Sequence, residues 1–219
     1  MVQEAAEIKA GVCPLIINST NPNLYLGVQE RTWKRETNKL AGMWSPAFET
    51  VEPGESHLAT LKRCIGAGCG EEISIVGGEI TIPDNLDNSL LCKVQLSSGI
   101  WLYVYPLVAS NDLEVVTGLY THEVQTPAWI SDSLVVASKY RPGNFTFRPG
   151  VLEISESLRE QKANRWTYRP RIYENPVNSV PTEVFDLLEA GISQNEALYR
   201  LGLGPQQLLK PDPSGRLLS

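Results

Sequence analysis

The stretch Pro53–Gly70 constrains this chain more than any other. Between the Pro53-Gly54 pair and the glycines at 66, 68 and 70 there is room for one short helix and nothing longer. Glycine is costly inside a helix, by roughly 1 kcal/mol against alanine, and natural at its C-terminal end. Ser56 is a ready start, and Leu58, Leu61 and Ile65 share one face at helical spacing. The predicted helix therefore begins at Ser56 and is ended by the GAGCG run at 66–70.

Strand signals surround that helix. Residues 10–17 (AGVCPLII) form a continuous apolar run, as a buried strand does, and 24–30 (LYLGVQE) reads as its hairpin partner across the polar turn NSTNPN. Further strands are expected over 73–82, 90–96 and 113–125, and over 100–108 (IWLYVYPLV), the strongest β signal in the chain. Short helices are expected within 127–137, over 153–164 as a polar helix, and two or three times within 182–210. Ser193 and Glu196 form a capping-box pair at one of the last. Strands interleaved with few helices make this an α/β (α+β) protein with a mixed sheet.

With 42% apolar and 20% charged residues, the 219-residue chain is composed as a globular protein; collagen-like and fully disordered chains are excluded. No apolar run approaches the roughly 20 residues that cross a bilayer. The first residues, MVQEAAEIKAGV, lack the apolar core of a secretory signal, so no membrane association and a cytoplasmic address are expected. None of the four cysteines lies in a CxxC pair, which fits reduced thiols. The net charge of −6 opposes bulk nucleic-acid binding. Residues 139–171 run against it, with eight Lys or Arg against three Glu. Aromatics interleave there, so Arg165, Trp166, Tyr168, Arg169 and Arg171 are candidates for a weak nucleic-acid contact.

The order of elements over residues 8–138, with LAGMWSPAFETVEPGE leading into the helix and THEVQTPAWISDSLV downstream, resembles the Nudix hydrolases. Their signature is G-x5-E-x7-R-E-U-x-E-E-x-G-U, with U a large aliphatic residue. Aligned without gaps on Glu55 and Arg63, the chain matches at Glu55, Arg63, Ile65 and Gly70. Glu49 stands at the first Gly, Cys64, Ala67 and Gly68 stand at the three helix glutamates, and Glu71 stands at the final aliphatic position. The resemblance implies a Nudix-like α/β/α sandwich over 1–138. A basic, aromatic helix and linker (139–180) and a small helical appendage (181–219) follow.

In the family the helix glutamates hold Mg²⁺ or Mn²⁺ for cleavage of a nucleoside-diphosphate-linked substrate. Thiol, methyl and hydrogen offer a hard cation no oxygen. The expectation is a catalytically degenerate protein with no catalytic residue, no metal and no cofactor. It would serve as a nucleotide-type ligand-binding or protein-interaction module. The ligand-binding candidates are Arg31, Arg35, Trp44, Glu52, Glu55 and Arg63, and the partner is a nucleotide-like small molecule or an unidentified protein. The first alternative is a divergent hydrolase using Mg or Mn through Glu52 and Glu55. The second is a ligand-sensing regulator touching nucleic acid, since 182–210 faintly resembles a helix-turn-helix unit. Glu71 and Glu72, beyond Gly70, are expected to form a solvated turn pointing away from the site. A homodimer is compatible with the family, but no surface is selected for it.

Overall fold

A computed structural model describes residues 9–217 apart from 87, 97–98, 120–121, 126, 140–144, 165–168 and 175. Arg165, Trp166 and Tyr168, singled out above, lie outside the described residues. In chain order the elements are β1 (Ala10–Asn18), β2 (Leu24–Gln29), β3 (Trp44–Ser45), β4 (Glu49–Thr50), α1 (His57–Cys64), β5 (Ile65–Ala67), β6 (Ile73–Gly77), β7 (Ile80–Thr81), β8 (Cys92–Gln95), β9 (Trp101–Ala109), β10 (Glu114–Thr117) and β11 (Ala128–Ser131). Then come α2 (Asp132–Ser138), α3 (Val151–Ala163), β12 (Arg171–Tyr173), α4 (Thr182–Glu189), α5 (Gln194–Arg200) and β13 (Arg216–Leu217). No described helix is long and apolar enough to cross a membrane.

The centre of the larger, mixed sheet is the parallel pair β1–β9, in register from Ala10↔Trp101 to Asn18↔Ala109. Both strands are apolar runs because most of their side chains are buried between the layers, Val108 near the end of β9 being the exposed one. On its other flank β1 pairs first with β4, at Gly11 and Val12, and then with β2, at Ile17. Pro14 has no N–H to donate and falls in the interval between them. There β4 and the end of β2 part, and a cleft opens. A second sheet, β10-β6-β5, lies beyond α1.

One face of the larger sheet is covered by α2 and α3. Val151, Ile154 and Leu158 recur at helical spacing and are buried with Leu15, Val94 and Val104. The reading of 153–164 as a polar, solvated helix is corrected here. Two of its polar residues face inward and are paired, the Ser155 hydroxyl with Tyr25 and that of Ser157 with Tyr173, while Arg159 keeps the other side in water. Phe145 and Phe147, read as part of an aromatic surface, are core residues.

The helices α4 and α5 pack through Val184, Phe185, Leu188, Ala197 and Leu198 onto Leu40, Met43 and Phe145. Arg35 adds an ion pair to Asp186 and one to Glu189.

The end of α1 differs most from expectation. Ser56 caps the helix as expected, its hydroxyl accepting from Ala59 N at 3.2 Å. After Cys64 the chain turns straight into β5, makes a tight excursion through Gly68, and comes back to the helix exit at Gly70 before β6, which pairs parallel to β5. Gly70 is obligatory there. A Cβ would lie 1.9 Å from the carbonyl oxygen of Ile73 and 2.3 Å from the amide of Gly66. Both obstacles are backbone and cannot rotate away. Gly70→Ala is therefore expected to cost about 3 kcal/mol in urea unfolding. A change within 0.5 kcal/mol would show that the crossing is looser than described.

Candidate functional site

In an unbroken α-helix the N–H groups of residues 67 and 68 would donate to the carbonyls of residues 63 and 64. Here Glu71 N donates to Arg63 O at 3.0 Å, and Glu72 N donates to Cys64 O at 3.1 Å. The excursion has thus looped out four residues, Gly66–Cys69, and set Glu71 and Glu72 where the helix would have carried the next two. This corrects the ungapped alignment. With four residues inserted, the segment reads Arg63-Cys64-Ile65, then Gly70-Glu71-Glu72-Ile73-Ser74-Ile75. Paired glutamates stand in the paired-glutamate positions and Ile75 in the final aliphatic one. Within this stretch the departures are Cys64 and Ser74. The solvated turn expected for Glu71 and Glu72 is corrected with it: Glu72 is only 7% exposed, and Glu71 forms an ion pair with Arg63.

Arg63 is the hub of the segment. Its guanidinium also pairs with Glu55 at 2.9 Å and Glu49 at 3.3 Å, and donates to the carbonyl of Thr50 at 2.8 Å. The hydrogen bond from Arg63 holds the Glu55 carboxyl down at about 2, helped by bonds from Glu52 N and the Thr60 hydroxyl. Burial pushes Glu49 up from the usual carboxylate range.

The cleft where β2 and β4 part has a volume of about 160 Å³. Glu49, Glu72 and Glu123 line it together with Lys34, Thr37, Lys39 and Arg148, and Lys39 Nζ reaches Glu123 at 3.4 Å. Behind them Glu30, 2% exposed, holds the two buried cations, with Lys39 Nζ and Arg148 Nη1 each at 2.7 Å. The Arg148 guanidinium lies 4.6 Å from the centre of the Phe48 ring. Burial drives Glu72 up to about 8, and the charges of Glu30, Glu49 and Glu123 add to it. A second groove of about 620 Å³, walled by Val51, Pro53 and Ile100, shares Lys34, Thr37 and Thr50 with the cleft.

Of the residues picked from the sequence, Glu52 and Glu55 line the second groove. Arg63 braces the segment from behind. Arg35 is committed to α4, and Trp44 is 1% exposed, with its Nε1 donating to Leu209 O. Arg31 lies on a separate groove beside Gln194 and Lys210. Arg169 is exposed, and Arg171, in β12, pairs with Glu160 at 2.8 Å. Glu52, Glu55 and Arg63 come together, and the others do not join them. Glu30, Glu49, Glu72, Glu123 and Arg148 were missed. Of these, Glu49 by its place in the aligned motif and Glu123 within the acidic THEV segment carried a sequence signal for this cleft.

The donor set suits a hard divalent cation in kind, because carboxylate oxygens crowd one cleft and repel one another. Among the described residues no three His, Cys, Asp or Glu side chains form a ready-made cage. Magnesium does not require one, since it is held by one or two carboxylates with water and substrate phosphates completing its shell. Glu49 and Glu72 are the residues that would hold it.

No family model matches the sequence. No curated protein matches it either. Solved structures do match. A Nudix hydrolase from Nitrosomonas europaea aligns with a TM-score of 0.51 at 12% identity, over 78% of this chain and 82% of that one. A MutT protein from Methanosarcina mazei aligns at 0.41 and 17% identity, over 70% and 94%. An Ap4A hydrolase from C. elegans aligns at 0.41 and 17% identity, over 71% and 96%. The chain has the fold of the Nudix hydrolases, an α/β sandwich on a mixed sheet; the first of these alignments carries that statement.

The Glu72 carboxyl gives a pH signature in metal-free buffer. Folded, it keeps its proton up to about pH 8; unfolded, it releases it near 4.5. Between those values the unfolded state binds fewer protons, so this group's contribution to stability falls as pH rises. Glu72→Gln removes the fall. The variant should melt with wild type near pH 4.5 and at least about 4 °C above it at pH 8.5. A difference that does not change with pH would contradict the assignment.

Proposed function

We propose that the chain is a divergent hydrolase of the Nudix type, cleaving a nucleoside-diphosphate-linked substrate. The observation that carries this reading is the return of Glu71 and Glu72 to the carbonyls of Arg63 and Cys64, which puts a buried carboxyl on the cleft. The sequence alone favours an inert scaffold because three acidic positions look empty in it; one of them, Cys64, remains so. A divalent cation bound at Glu49 and Glu72 would supply charge neutralisation and Lewis acidity toward a phosphoryl oxygen.

The rest falls to the chain itself. Lys39 and Arg148 cannot wander, because Glu30 fixes both, so they present positive charge beside the carboxylates without reorganising. A cleft of about 160 Å³ is sized for a phosphoryl group, and the adjoining 620 Å³ groove has room for the remainder of the substrate. Arg63 orients Glu71, Glu55 and Glu49 and touches no reacting atom.

A second reading, a catalytically inert module that binds a nucleotide-like ligand or a protein, is favoured by Cys64. Its thiol is buried and its pKa is raised well above the ordinary value by that burial, so it stays protonated and is no ligand for a hard cation. One panel separates the two. ADP-ribose, NADH, dinucleoside polyphosphates and nucleoside triphosphates are each incubated with the protein in Mg²⁺ and in Mn²⁺. The hydrolase reading expects turnover above ~0.1 s⁻¹ on at least one of them. Glu72→Gln should lower it at least about 100-fold. Silence across the panel in both metals would leave the binding module.

A further inference from the structure

A separate cavity of about 630 Å³ lies at the far edge of the larger sheet, where the β1–β2 turn, the start of α2, the end of α3 and β13 meet. Its lining is dominated by hydrogen-bond donors. Arg159 and Lys162 come from α3 and Arg216 from β13, so three cations converge from two elements distant in sequence. The one carboxylate in the lining, Asp132, is already held by Lys162 at 3.2 Å. Arg159 and Arg216 are both exposed, and among the described residues only Arg216 of the two feels a nearby carboxylate, that of Asp212 on the adjoining turn.

The neutral groups lean the same way. Asn21 Oδ1 accepts from Asn23 N at 3.1 Å, and Asn23 Oδ1 accepts from Lys162 Nζ at 3.1 Å. The oxygens of both carboxamides are thereby used within the protein, and their N–H donors are left for a ligand. The hydroxyls of Ser131 and Ser133 also line it and share one hydrogen bond at 2.7 Å. A concavity with surplus positive charge and surplus donors selects a compact, acceptor-rich anion.

We propose that this cavity binds a phosphorylated small molecule, with Arg159 and Arg216 gripping its phosphoryl oxygens. The inference does not rest on the hydrolase reading, because no residue is shared with the catalytic cleft. A small ligand is favoured over a nucleic acid by the arrangement of charge. An extended polyanion needs several cations spaced along its backbone. Here the cations meet at one point, and Asp212, Glu156 and Glu160 stand on the neighbouring turn and helix.

The test is calorimetric titration of the full chain with inorganic pyrophosphate in metal-free, low-salt buffer. Wild type and Glu72→Gln should bind alike. Arg159→Ala and Arg216→Ala should each weaken binding at least fivefold, and the double variant should abolish it. Both side chains are exposed, so melting temperatures should stay unchanged and hydrolase turnover, where present, should persist. Equal affinity in the arginine variants would overturn the proposal, as would no binding by wild type. A single-stranded oligonucleotide that displaces pyrophosphate with a steep salt dependence would also overturn it, and would assign the surface to nucleic acid.

Discussion

Two hydrogen bonds organise the candidate site. Because Glu71 N and Glu72 N take the carbonyls of Arg63 and Cys64, the last turn of α1 ends satisfied although the helix itself has stopped. Everything chemical depends on this. It sets Glu71 beside Arg63, which already holds Glu49 and Glu55, and it turns Glu72 into the cleft. The close approach that permits it is possible only because Gly70 has no side chain. Gly118, whose amide donates to Glu72 O at 2.9 Å, holds the same crossing from the β10 side.

Charge in the cleft is arranged in two layers. The deeper layer is the Lys39–Glu30–Arg148 triad, in which one buried carboxylate fixes two buried cations. Such a group is expensive to desolvate and is disrupted at high cost by loss of one member. The outer layer is the carboxyl set of Glu49, Glu72 and Glu123, where burial and mutual repulsion hold Glu72 protonated near neutrality. A site that strains against its own charge is suited to taking up a cation, and the triad beside it is suited to an anion. The combination is what the proposed metal-dependent phosphoryl site would require of its protein.

Much of the fold was legible because its signals are local. The apolar run of β1, the β-branched and aromatic run of β9, the Ser56 cap and the Ser193 cap all reappear where the sequence put them. The short pairings β3, β4, β12 and β13 were not legible, since two or three residues carry no periodicity and are fixed by their neighbours. The Glu55–Arg63 spacing correctly marked the segment that builds the site. The error lay in carrying the alignment through without a gap. Glycines at 66, 68 and 70 announced a helix end, and they announced equally well a loop, yet nothing local says that a chain which leaves a helix will return to it. Glu30 and Arg148 were invisible for the same reason: 118 residues separate them, and only the sheet brings them to 2.7 Å.

The central claim is that Gly66–Cys69 is an insertion that leaves the flanking geometry untouched. Deleting those four residues tests it most directly. If the claim holds, Glu71 and Glu72 become the next residues of a continuous helix, β6 loses its edge partner β5 but keeps its pairing with β10, and urea unfolding stays cooperative at a cost of no more than about 2 kcal/mol. If the four residues are instead integral to the fold, the deletion drags β6 four positions out of register with β10, and the variant will fail to fold cooperatively.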